Sequence, residues 1–167
     1  MLNHLLVPLD GSPLAEEALS YVNQLLRPGG RLTLVMAVDL SGMLAYDMYP
    51  ITGIRADVPQ GQTMYGADKL VAQARTYAEK IAKDRFQYEV HIVVETGEPA
   101  TLILKAAQET HAEAIVMSTH GRSGFSRWLL GSVTNRVLSA ATCPVFVIPN
   151  MHRQTQPEIQ TREMTHS

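Results

Sequence analysis

Two turn-rich segments of the chain carry residue types that can hold a phosphate ester. The first is Asp10-Gly11-Ser12, directly after Leu5-Leu6-Val7-Pro8-Leu9; the second is Ser118-Thr119-His120-Gly121-Arg122-Ser123-Gly124, which leads to Gly131-Ser132. Glycine lets a backbone approach a ligand closely. A helix starting at Gly131-Ser132 would offer unpaired N–H groups and a positive dipole end, which favour an anion. The Ser132 hydroxyl adds a donor, and Arg122 and Arg127 add positive charge. This is not a Walker A loop, because Gly-Lys-Ser/Thr occurs nowhere, and no Gly-x-Gly-x-x-Gly fingerprint occurs either.

Each of these residues also has a plain structural reading. Gly121, Gly124 and Gly131 can simply shape a loop, Asp10 can be a turn former or helix cap, and Arg122 and Arg127 can be solvated charges. His120 has the chemistry of a general base, but loop contacts or tuning of the phosphate region explain it better. His4, His91, His111, His152 and His166 lack metal-site spacing. Cys143 precedes Pro144 at a strand start and reads as a small buried hydrophobe. Trp128-Leu129-Leu130 reads as packing for the helix start.

The elements that must position these segments follow from hydrophobic patterning. Leu5–Leu9 is a continuous apolar run closed by turn residues, as expected of a strand buried on both faces. Ser12-Pro13 reads as N-cap and first helical position. Leu14, Ala15, Ala18, Leu19, Val22, Leu25 and Leu26 then form one helical stripe, stopped by Pro28-Gly29-Gly30. Leu32–Val38 is the second strand. Helical spacing resumes from Leu70 to Ala82, Tyr88–Val94 alternates as a third strand, and Gly97-Glu98-Pro99 opens a third helix. Ala114–Met117 is a fourth strand, a helix runs around 132–141, and Val145–Ile148 is a fifth strand. Strands alternating with helices predict an α/β fold, an open five-stranded parallel sheet with helices on both faces. In such sheets ligands bind beyond the C-terminal strand ends where strand order reverses. With strand one at the centre and order 3-2-1-4-5, the reversal lies between strands one and four, the strands that precede the two segments.

Residues 1–150 read as one domain, with a long connection over 39–62 that can act as a lid or pack on a partner, and a polar, disordered tail over 151–167. A chain of 167 residues can bury a core without disulfides, and its single cysteine allows no intrachain bridge. A net charge of −2 carries no basic excess to advertise nucleic acid or an anionic membrane. No targeting segment or membrane-length apolar run is visible, so the expectation is a cytoplasmic protein with no nucleic-acid partner and no membrane insertion.

Ser118-Thr119-His120-Gly121, nine residues, then Gly131-Ser132-Val133 resembles the nucleotide signature of the universal stress protein family. Val7-Pro8-Leu9-Asp10-Gly11-Ser12 and Cys143-Pro144-Val145-Phe146-Val147-Ile148 are similar to that family's opening and closing segments. The similarity covers roughly Asn3 to Pro149. One departure is visible: Ser118 stands where the signature has its first glycine.

The resemblance implies a Rossmann-like fold of the adenine nucleotide alpha hydrolase type. It implies an ATP site in which Pro8, Leu9 and Asp10 line the nucleotide, with Asp10 toward the ribose or the metal–phosphate region. Ala37 would read the adenine edge through its backbone. Met117 and Ser118 would flank base and ribose, and Gly121, Arg122, Gly131, Ser132 and Val133 would surround the phosphates. Mg²⁺ would arrive with the nucleotide. The resemblance also implies homodimers formed through the last strand, Val145–Ile148. The expected role is an ATP-binding regulatory protein of stress adaptation, with a further protein partner open. No residue set forms a machine for fast phosphoryl transfer, and slow hydrolysis stays open. The alternatives are a binder of AMP or a cyclic nucleotide, and a nucleotide-free dimeric adaptor, the reading that Ser118 keeps open.

Overall fold

The computed structural model describes residues 1–40, 63–119 and 130–149. The connection from 41 to 62, the loop from 120 to 129 and the tail from 150 lie outside the described residues, so the expectations placed on them are not addressed by it.

Five strands, β1 (Leu2–Leu9), β2 (Leu26–Val38), β3 (Val90–Thr96), β4 (Ala114–Ser118) and β5 (Val145–Ile148), form one sheet in the order β3-β2-β1-β4-β5. All four pairings are parallel. The helices are α1 (Pro13–Glu16), α2 (Val22–Leu25), α3 (Thr63–Arg85), α4 (Pro99–Glu109) and α5 (Ser132–Ala140). This is the predicted α/β architecture and the predicted strand order.

Alternation along the central strands sends side chains into two cores. Leu5, Val7 and Leu9 of β1 and Leu32, Leu34, Met36 and Val38 of β2 meet Ala15, Ala18, Leu19 and Val22, and Leu70, Ala74, Ala78 and Ile81 of α3. Leu6, Val35, Ile115 and Met117 meet Ala100, Ile103, Ala106 and Ala107 of α4 and Val137 of α5. Leu5, Leu6 and Val7 have no exposed surface. Each such side chain contributes about 1.5–3 kcal/mol relative to exposure. That explains why β1 reads as a continuous apolar run: both of its faces are covered.

Element boundaries differ from the periodicity in three places. First, the helical segment after Ser12 is not one α-helix. A 3-10 turn over Glu17–Tyr21 separates α1 from α2, and the Val22 N–H bonds to the Leu19 carbonyl. Second, the chain becomes extended at Leu26, and Pro28-Gly29-Gly30 does not end a helix but breaks a ladder. Leu2 faces Leu26 and His4 faces Arg31, so two steps on β1 match five on β2. The proline and glycines form that bulge, where residues unsuited to a regular ladder are tolerated. Third, α3 begins at Thr63, seven residues before the apolar stripe, and β3 begins at Val90. The Phe86 and Tyr88 rings, 5.4 Å apart, sit in the turn between α3 and β3.

Candidate functional site

The C-terminal ends of β1 and β4 are the place where strand order reverses. The β1–β4 ladder pairs Leu5 with Ala114 and Leu6 with Ile115. Past these residues each strand follows its outer neighbour. β1 stays paired with β2 as far as Leu9–Met36, and β4 with β5 as far as Ser118–Ile148. Pro8, which has no N–H to donate, lies just beyond the last β1–β4 pair. In open parallel sheets the crevice that takes ligands lies at such a reversal, beyond the two strand ends.

On the β1 side the chain turns through Asp10-Gly11-Ser12. Asp10 Oδ1 accepts hydrogen bonds from the Ser12 N–H (2.9 Å) and the Ser12 hydroxyl (2.6 Å). Ser12 Oγ in turn accepts from the Ala15 N–H at 3.2 Å and caps α1. Gly11 has φ +80°, a left-handed conformation in which a Cβ would be strained. Asp10 is thus a turn former, as one sequence reading held. Both bonds use Oδ1. Leu9 is 4% exposed and belongs to the core, so only its backbone can face the crevice. Pro8 is half-buried.

On the β4 side the two ends of the 120–129 loop are tied together. The Gly131 N–H donates to the Thr119 carbonyl at 2.9 Å, and the Thr119 N–H donates to the Ile148 carbonyl at 2.9 Å. The Thr134 hydroxyl, on a buried residue, donates to the Ser118 carbonyl at 3.1 Å. The start of α5 is therefore fixed at the C-terminal end of β4. Gly131 is its N-cap and supplies no side-chain hydrogen bond to the first turn. The two other helices that begin at a strand end are capped by side chains, α1 by Ser12 and α4 by Glu98. Ser132 is exposed and Val133 half-buried. Met117 is 5% exposed and packs in the second core, whereas Ser118 is half-buried at the rim. Gly121 and Arg122, with His120, Gly124, Arg127 and Trp128, lie outside the described residues.

Ala37 is half-buried near the end of β2 and pairs with Glu95 of β3. By alternation it shares the α4–α5 face of the sheet with Pro8 and Met117. Pro8, Asp10, Ala37, Ser118 and Gly131–Val133 therefore all lie at one end of the sheet, on three strand ends and one helix start.

Sequence reasoning missed a polar cluster beside the first turn. Glu16 Oε1 accepts from the Tyr77 hydroxyl at 2.8 Å, and Glu16 Oε2 accepts from Arg85 at 2.8 Å. Burial, then the bond to Glu16 and the nearby charges of Glu16 and Asp10, push the Tyr77 phenol far above its ordinary value. Tyr77 falls in the apolar stripe of α3 and Glu16 in the first turn of α1, so each had a sufficient local explanation. Thr134 was missed for the same reason, since nothing in the sequence marks it as the residue that ties α5 to β4.

Among the described residues no group of three His, Cys, Asp or Glu side chains could hold a metal ion. Asp10 is the carboxylate directly after β1, a group able to share a cation that arrives with its own phosphate oxygens. Among the described residues no helix is long and apolar enough to cross a membrane.

Comparison with known proteins places this geometry in a family. Universal stress protein YxiE of Bacillus subtilis is 31% identical over 157 residues, covering 89% of this chain and 99% of the relative. The solved structure of MJ0577, a universal stress protein of Methanocaldococcus jannaschii, superposes with a TM-score of 0.74 at 24% identity, covering 91% of this chain and 99% of that one. A universal stress protein solved in complex with cAMP superposes with a TM-score of 0.56 at 18% identity, over 89% of this chain and 97% of that one. The model of the universal stress protein family matches residues 1–149, and the chain belongs to that family.

Proposed function

We propose that this protein binds an adenine nucleotide, ATP with its Mg²⁺, in the crevice between β1 and β4, and acts as a homodimeric regulatory protein of stress adaptation. The observation that carries this reading is the start of α5. A nine-residue helix begins at Gly131 against the end of β4, with no side chain of its N-cap on its first N–H groups. Such an end favours a phosphate through unpaired donors and a positive dipole. In this reading Gly131, Ser132 and Val133 meet the phosphates together with Gly121 and Arg122. Pro8, Asp10 and the Leu9 backbone line the other wall, and Ala37, Met117 and Ser118 border the base and ribose. Asp10 Oδ2 faces the ribose or the metal. The relative solved with cAMP supports an adenine nucleotide as the ligand class.

The test is a thermal melt with and without Mg-ATP, on wild type and Gly131→Val. A ligand that binds only the folded state raises the midpoint by mass action, by about 2.7 kcal/mol at a hundredfold excess over Kd. Gly131 has φ −55° and ψ 152°, which valine also adopts, so the substitution tests space rather than backbone strain. The expected result is a rise in wild type that Gly131→Val abolishes. No rise in wild type at millimolar ATP, with the protein first shown to be nucleotide-free, would leave the dimeric adaptor as the better reading. A rise with AMP or cAMP and none with ATP would change the ligand and keep the site.

A further inference from the structure

An unbroken chain of hydrogen bonds runs from the Asp10 carboxylate to α3. Asp10 Oδ1 holds the N–H and hydroxyl of Ser12. The Ser12 carbonyl accepts from the Glu16 N–H at 3.3 Å. Both Glu16 carboxylate oxygens are gripped from α3, one by Tyr77 and one by Arg85. The segment so gripped has little hold of its own. α1 is four residues long and passes at once into a 3-10 turn, a weaker and often hinge-like geometry. Gly11, at φ +80°, gives the turn before it wide conformational freedom.

Packing alone does not require this grip. α3 already buries Leu70, Ala74, Ala78 and Ile81 against the sheet, and Ala15, Ala18, Leu19 and Val22 cover the same core. What the grip adds is a fixed position for Glu16, and through Ser12 for Asp10. We propose that Tyr77 and Arg85 are positioning residues of the nucleotide site: from α3 they clamp Glu16 and hold the Asp10-Gly11-Ser12 turn in the shape that presents Asp10 to the ligand. This rests on the nucleotide reading given above. The clamp also occupies both oxygens of Glu16 with a hydroxyl donor and a cation. A second acidic group close to a polyphosphate is thereby held away from it and partly neutralised.

The experiment measures Mg-ATP affinity by calorimetry for wild type, Tyr77→Phe, Arg85→Gln and the control Lys80→Gln, an exposed change on the same helix. Amide hydrogen exchange of Ser12 and Ala15 is followed in the nucleotide-free proteins. Tyr77→Phe keeps the ring and removes only the hydroxyl. The expected result is a roughly tenfold loss of affinity in Tyr77→Phe and in Arg85→Gln, within the range that network residues exert on a distant site. Ser12 and Ala15 amides should exchange faster in both variants, and Lys80→Gln should match wild type. A lowered melting temperature with unchanged affinity would overturn the inference and leave the nucleotide site intact, the clamp then being structural only. Wild type that binds no nucleotide would overturn the site reading and this role with it. In that case the amide exchange still separates the two failures: unchanged exchange means that no clamp exists, and faster exchange means a clamp on a turn that serves no nucleotide.

Discussion

At the opposite end of the sheet from the crevice, His4 is a polar residue kept almost wholly from water, at 4% exposure. Its Nε2 lies 2.8 Å from the Thr33 hydroxyl, and its Nδ1 has no hydrogen-bond partner among the described residues. Burial, and then the Arg31 guanidinium, lower its pKa below the ordinary 6.5, with His91 acting the same way. The carbonyl groups of Thr110 and His111 oppose them in part, and the Glu113 carboxylate lies near enough to feel the ring's charge. A histidine with a depressed folded pKa is neutral in the native state at pH 7. The unfolded state takes up its proton first as pH falls through 6.5, so stability is full above that value and drops below it. His4→Gln, which keeps a polar group near Thr33 and cannot titrate, is expected to flatten the acid limb of the stability curve that starts near pH 6.5. Urea melts of both proteins between pH 7.5 and pH 5 would show it. Parallel curves would mean that another group sets this limb.

At the scale of elements, the helices of the described residues that begin at a strand end differ in their starts: α1 and α4 are capped by a side chain of their own N-cap residue, and α5 is not. α4 is a self-capped case. Glu98 accepts from the Ala100 N–H at 3.1 Å, from the Thr101 N–H at 2.9 Å and from the Thr101 hydroxyl at 2.7 Å, and pairs with Arg136 of α5 at 3.0 Å. Slight burial pulls its pKa upward. The bonds from the Thr101 hydroxyl and from the Thr101 and Ala100 amides, together with Arg136, outweigh that and leave it lowered. Glu98→Ala is expected to cost about 1 kcal/mol as a lost cap. The loss should be present at neutral pH and shrink as pH falls below the carboxylate range, because protonation removes the same bonds from wild type. Denaturant unfolding at pH 7 and pH 3.5 checks both parts.

The start of α4 at Gly97-Glu98-Pro99 was legible in the sequence, as was the start of α5 at Gly131-Ser132, because both depend on residues next to each other in the chain. The strand order was legible for a similar reason. Apolar runs separated by helical stripes leave few ways to build a parallel sheet. What periodicity could not reveal depended on partners far along the chain. The pairing of Leu2 with Leu26 extends β2 backward through Pro28-Gly29-Gly30, residues that locally read as a stop. The tie from Glu16 to Tyr77 and Arg85 spans more than sixty residues. At the candidate site, the residue types at Asp10 and Gly131 pointed to strand ends one and four, and the structure puts both residues at that end of the sheet. The burial of Leu9 and Met117, which limits how they can face a ligand, needed the fold.

For the whole molecule, the open question is what covers the β5 edge. β5 is the last strand in the sheet order and pairs with β4 on one side. Apolar groups stand uncovered on both faces of this edge. Phe146 is 37% exposed on the side of Ile148, and Leu138 of the neighbouring α5 is 39% exposed on the other. An open strand with apolar flanks is a template for further pairing, and closed twofold association is the commonest way to satisfy it. If the proposed homodimer forms by β5 of one protomer pairing with β5 of its partner, as the family resemblance implies, each Phe146 falls near the twofold axis. Phe146→Glu removes apolar area from the edge. It also sets two like charges close together across the axis, an arrangement that destabilises strand pairs. Wild type is expected to elute as a dimer by light scattering coupled to size exclusion, with a melting temperature that rises with protein concentration. Phe146→Glu should elute as a monomer with an unchanged circular dichroism spectrum and a concentration-independent melt. The proposed nucleotide site lies between β1 and β4, so each protomer should keep its own site and the variant should bind Mg-ATP as wild type does. A variant that is monomeric and has also lost nucleotide would mean that the two functions share one surface, and the site would have to be sought nearer β5.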